Sequence, residues 1–121
     1  MSNKITGQVV KGRGRGRLLG FPTANIKITR GQWPAEGVYA AWVCWLGKKY
    51  KGAVSVGPAY TFGETNPTVE VFLLDFSADL YDQSLELELV QKLRPMEKFK
   101  SHEDLVEQIK KDVRQVEKIL V

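Results

Sequence analysis

The chain has 121 residues, 43% of them hydrophobic, with one cysteine (Cys44) and one histidine (His102). That length predicts a single domain over residues 1–121, able to bury a core without disulfide or metal staples, and the lone Cys and His exclude an internal disulfide and the common zinc ligand sets. The formal charge of +4 hides an uneven layout: Lys4, Lys11, Arg13, Arg15, Arg17, Lys27 and Arg30 fall in residues 1–35 without one acid, leaving 11 basic against 14 acidic groups beyond, which points to phosphate on a nucleotide or a nucleic acid as partner.

Residues 5–11 read as a first strand. Residues 12–22 form a loop in which Gly12, Gly14, Gly16 and Gly20 are interleaved with Arg13, Arg15 and Arg17. A short strand is expected over 24–28 and a turn region over 31–37. Residues 38–46 are apolar on both faces, the mark of a strand covered on two sides, and Gly47-Lys48-Lys49 reads as a hairpin turn into a strand over 50–56. The Gly-, Pro- and Thr-rich stretch 57–68 is long enough to be a functional loop. Strands are expected over 69–76 and 85–93, where Leu85, Leu87 and Leu89 alternate with Glu86 and Glu88. Ser101 followed by Asp104 resembles a capping box, and Leu105, Ile109, Val113, Val116 and Leu120 keep helical spacing. Glu103, Glu107, Lys110, Lys111, Asp112, Arg114 and Glu117 are assigned to the water-facing side. Strands first and a helix last predict a β-barrel with a C-terminal helix, not a βαβ nucleotide fold. No apolar run approaches the ~18 residues of a membrane helix, and no signal segment follows Lys4, so a cytoplasmic protein without a membrane partner is expected.

Four groups of residues are candidates for chemistry. Glycines let backbone N–H groups approach phosphate oxygens, and arginines add bidentate contacts; the P-loop and dinucleotide patterns both fail here, and a solvated turn is the plain alternative. Thr23 and Asn25, two residues apart, share a face of an extended segment and offer hard neutral oxygens suited to magnesium held with phosphate; local turn bonding is the alternative. Glu70 shares a strand face with Phe72, Leu74 and Phe76. A carboxylate there pays desolvation, a property a general base uses; a Glu reaching solvent, or paired with Arg94, is the alternative. Arg94, in the link to the helix, can clamp a planar ligand or close a salt bridge with Glu97. Asp75 reads as structural, and Trp33, Trp42, Trp45, Tyr39 and Tyr50 read as core.

The order of these pieces closely resembles the riboflavin kinase family. The resemblance rests on Gly7-Gln8-Val9-Val10-Lys11-Gly12, Gly16-Arg17-Leu18-Leu19-Gly20-Phe21-Pro22-Thr23-Ala24-Asn25-Ile26 and Gly37-Val38-Tyr39-Ala40. It continues in Val69-Glu70-Val71-Phe72-Leu73-Leu74-Asp75-Phe76, Leu80-Tyr81, Leu93-Arg94-Pro95 and Lys98-Phe99. It implies a six-stranded antiparallel barrel with a helix, and transfer of the ATP γ-phosphoryl group to the riboflavin 5′-hydroxyl to give FMN. It also implies ATP phosphates at Gly12, Arg13, Gly14, Gly16, Arg17, Gly20, Pro22 and Thr23, magnesium (Mg2+) at Thr23 and Asn25, Glu70 as base and Arg94 over the flavin. Departures from the family pattern are Ser55 and Tyr60 in the central loop region, Phe72 two residues after the glutamate, and Asp82 after Tyr81, where a left-handed turn accepts Asp. No His-x-Gly-His motif is present, so FAD synthesis is not expected. The competing expectations are a nucleic-acid-binding barrel that uses the Arg-rich loop and a flavin-binding domain without turnover. A monomer is expected.

Overall fold

The computed structural model describes residues 4–12 and 19–121. Six strands form a closed antiparallel barrel: β1 (Lys4–Val10), β2 (Ala24–Arg30), β3 (Gly37–Trp45), β4 (Lys48–Gly57), β5 (Thr68–Leu73) and β6 (Ser84–Arg94), in spatial order β1-β2-β5-β4-β3-β6. One helix, α1 (His102–Ile119), follows. Among the described residues no helix is long and apolar enough to cross a membrane.

Period-two alternation fills the barrel. Ile5 and Val9, Ala41 and Val43, Val54 and Val56, Val69, Val71 and Leu73, and Leu85, Leu87 and Leu89 all lie inside, each under a tenth exposed. Every second side chain therefore leaves water at one stroke of strand closure. β3 is covered on its outer face as well, because Ala40 and Trp42 pack with Leu74, Val116 and Leu120 beneath α1. The two-sided apolar character read from residues 38–46 has this cause.

Several boundaries differ from expectation for local reasons. The β3–β4 hairpin turns at Leu46-Gly47, with φ of 50° and 78°, so Lys48 and Lys49 already belong to β4. Positive φ at both central residues is the tight turn whose twist suits a hairpin. β2 runs on to Arg30, two residues past the expected end, because its register with β1 continues to Thr6↔Arg30. β5 stops at Leu73: Asp75 adopts φ 50°, which breaks the strand and turns Leu74 under the helix. Asp82 adopts φ 69°, the left-handed turn that Asp tolerates.

The start of α1 follows the capping pattern. Ser101 Oγ accepts a hydrogen bond from the Asp104 N–H at 3.1 Å, and Glu103 and Asp104 sit in the positively polarised first turn. One helix residue breaks its assignment: Asp112, expected to face water, is 4% exposed.

Candidate functional site

β5 lies between β2 and β4, with register Asn25↔Glu70↔Ser55. Directly paired residues share a sheet face, and Val69 and Val71 occupy the interior. Asn25, Glu70 and Ser55 therefore stand in a row on the outer wall of the barrel. Thr23, just before β2, donates its hydroxyl to Glu70 Oε1 at 2.6 Å, and Thr68 Oγ1 lies 3.5 Å from the other carboxylate oxygen. Phe72, the next outward residue of β5, meets the edge of Phe21 with ring centroids 5.4 Å apart.

Two cavities open on this wall. The first, about 150 Å³, is walled largely by apolar groups, among them Phe21, Val38, Ala53, Phe72, Met96 and Phe99. The second, about 300 Å³, has a larger polar share, its lining including Lys11, Gly12, Asn25, Trp33, Glu64 and Thr68. Glu70 borders both. Thr23 and Ser55 open on the first cavity, Asn25 on the second. A Cβ on Gly12 would collide with the Asn25 amide, so a glycine there is what lets the loop pass over that side chain.

The far wall of the apolar cavity is the link between β6 and α1. Arg94 grips Asp112 in a two-pronged ion pair, Nε to Oδ1 at 3.0 Å and Nη2 to Oδ2 at 2.9 Å, while Gln108 Nε2 donates to Asp112 Oδ1 at 3.0 Å. The Arg94 Nη1 also donates to the Pro95 carbonyl, and the guanidinium lies 5.5 Å from the Phe99 ring centre. The Phe99 N–H donates to Thr61 Oγ1 at 3.0 Å, which joins this link to the loop between β4 and β5. That loop carries a 3₁₀ turn at Tyr60–Phe62, and Tyr60 donates its phenol to Glu36 Oε1 at 2.9 Å. The Glu36 carboxylate raises the Tyr60 pKa above its ordinary value, because losing the proton loses that bond and sets two negative charges together.

Glu70, Thr23 and Asn25 thus converge, with Gly12 beside Asn25. Pro22 and Gly20, with φ 86° at Gly20, lead into Thr23. Arg13, Gly14, Gly16 and Arg17 lie outside the described residues. Arg94 borders the apolar cavity, but its partner is Asp112 and not Glu70 or Glu97. Asp112 was missed by reading charge as exposure, and its neighbour Gln108 carried no assignment. The signal was present, since Asp112 follows Ile109 by three and precedes Val116 by four, on the inward helical face. Trp33, read as core, is 51% exposed at the rim of the polar cavity.

A family model described as flavokinase, riboflavin kinase, matches residues 1–120. A bifunctional riboflavin kinase/FMN adenylyltransferase of Haemophilus influenzae is 41% identical over 111 residues, covering 91% of this chain and 36% of the relative. The chain spans about a third of the length of the first such relatives. Among solved structures, a macrolide-efflux protein from Streptococcus pneumoniae superposes with a TM-score of 0.86 at 36% identity, over 96% of this chain and 38% of that one. A riboflavin kinase from Trypanosoma brucei superposes with a TM-score of 0.67 at 28% identity, over 97% of this chain and 78% of that one.

Proposed function

This chain belongs to the riboflavin kinase family, and on that footing we propose that it transfers the γ-phosphoryl group of ATP to the 5′-hydroxyl of riboflavin, giving FMN and ADP. The observation that carries the reading is the position of Glu70 on the border of two chemically different cavities. The apolar cavity, with aromatic walls and the Arg94 link above it, suits a planar ring system. The polar cavity, with Lys11 and the close approach at Gly12, suits phosphates. A hydroxyl extended from the first and a phosphate from the second meet beside one carboxylate.

In this reading Glu70 takes the proton of the attacking ribityl hydroxyl as its oxygen bonds to the γ-phosphorus. The bond from that phosphorus to the bridging oxygen breaks, and ADP leaves with the electron pair. Positioning and charge neutralisation carry most of phosphoryl transfer, so the fixed neighbours of Glu70 matter as much as the carboxylate. The Thr23 hydroxyl gives its hydrogen to Glu70 and keeps lone pairs for another partner, and the Asn25 amide supplies a second neutral oxygen. Two hard oxygens beside a carboxylate fit magnesium, which keeps water and phosphate as its remaining ligands. Thr23 and Asn25 would hold the ion together with ATP, where it would supply neutralisation of phosphate charge.

The test is incubation with riboflavin, ATP and magnesium followed by chromatography. FMN and ADP are expected in equal amounts. Binding of riboflavin without FMN would overturn the kinase reading in favour of a flavin-binding domain. A gel shift of labelled single strands without FMN would overturn it in favour of a nucleic-acid-binding barrel.

A further inference from the structure

Trp33 is the most exposed of the three tryptophans. Trp42 packs beneath α1 with Lys49 over its ring, and Trp45 bonds Gln83 and meets the edge of Phe76. Trp33 is 51% exposed and, among the described residues, has neither a ring partner nor a hydrogen bond at its indole N–H. Leaving half an indole in water forgoes the apolar burial that is the usual return on so large a side chain.

Its setting is specific. Among the described residues Trp33 is the one aromatic lining the polar cavity, which also holds Lys11, Gly12 and Asn25 together with the Glu64 and Glu70 carboxylates. It is held rather than loose: Pro34 restricts its backbone to extended conformations, and Gly31 two residues earlier turns the chain with φ 98°. An exposed indole on a restrained backbone, beside Lys11 and the close approach at Gly12, matches the two ends of a nucleotide, a flat base and a charged tail.

We propose that Trp33 is the stacking platform for the purine ring of the nucleotide substrate, a positioning residue for the phosphoryl donor. This rests on the kinase reading above for the identity of the cavity's occupant. Stacking on an indole face is tolerant of base identity, because every base has a π-face. Trp33 therefore contributes affinity for the ring and little choice between adenine and guanine.

The experiment compares wild type, Trp33→Ala and Trp33→Phe, with ATP, GTP and inorganic tripolyphosphate as probes in the presence of magnesium. Trp33→Ala raises the KM for ATP about tenfold, leaves kcat and the KM for riboflavin unchanged, and leaves tripolyphosphate inhibition unchanged. Trp33→Phe recovers most of the loss. ATP and GTP quench a part of the indole fluorescence that is absent from Trp33→Phe, and tripolyphosphate does not. An unaltered ATP KM in Trp33→Ala overturns the proposal, as does an equal loss for ATP and tripolyphosphate, which would mark a collapsed loop. Absence of FMN in the wild type would defeat the kinase reading alone, since the fluorescence comparison still reports whether a purine lies on Trp33.

Discussion

The Thr23 hydroxyl donates to Glu70 Oε1 at 2.6 Å across 47 positions of sequence. This bond holds the carboxylate from one side and leaves its other oxygen loosely approached, with Thr68 at 3.5 Å. Held this way, the carboxylate keeps one oxygen only loosely engaged on the wall where the two cavities meet.

Glu70→Gln preserves an oxygen that can accept from Thr23 but cannot take a proton. FMN formation is expected to fall by roughly 10²-fold or more, with the thermal midpoint and riboflavin affinity unchanged. Turnover near the wild-type rate would remove Glu70 from the role of base.

Thr23→Ala removes an oxygen suited to magnesium and frees Glu70 to rotate. Calorimetry with ATP and magnesium is expected to show weakened binding, with riboflavin binding much less affected. Gly12→Ala reaches the same outcome by another route, since its new Cβ collides with the Asn25 amide. Unchanged nucleotide affinity in both variants would argue against a role for Thr23 and Asn25 in holding the metal.

The Arg94–Asp112 pair is largely out of water, with side chains 13% and 6% exposed. Breaking it strands a buried charge, so Asp112→Ala is expected to lose about 3–5 kcal/mol of stability in denaturant unfolding. Because Arg94 anchors the link bearing Met96 and Phe99, the KM for riboflavin should rise as well. The double variant Arg94→Met/Asp112→Leu should recover stability without recovering riboflavin affinity. Full stability of Asp112→Ala would show that the pair is dispensable.

Tyr60 is held protonated by Glu36, so its phenol should ionise above the ordinary value of 10.0 in an ultraviolet titration, and Glu36→Gln should lower it. The sign follows from the raised folded value. The contact contributes to stability in full below the unfolded pKa, and that contribution disappears as pH rises through the folded one. A Tyr60 titration indifferent to Glu36→Gln would contradict the bond.

Much of the architecture was legible in the chain because alternation is local. Leu85, Leu87 and Leu89 against Glu86 and Glu88 assign inner and outer faces without knowledge of any partner strand. The end of β5 was not legible: Asp75 looked like the tail of a strand, and the pull on Leu74 comes from α1, more than 25 positions downstream. Asp112 was misread because its charge outweighed its spacing. Its burial depends on Arg94, which only the closed fold brings to it.

Sequence by itself determined the strand faces and the amphipathic helix, for which residue type and period suffice, and it singled out Thr23, Asn25 and Glu70 through the order of motifs that carries the family resemblance. Tertiary structure alone decided that residues 25, 70 and 55 form one row, that Glu70 borders both cavities, and that Trp33 stands half exposed beside the polar one. The reason is the spatial order β2-β5-β4. Cross-strand neighbours follow from barrel closure, which no local stretch of the chain encodes.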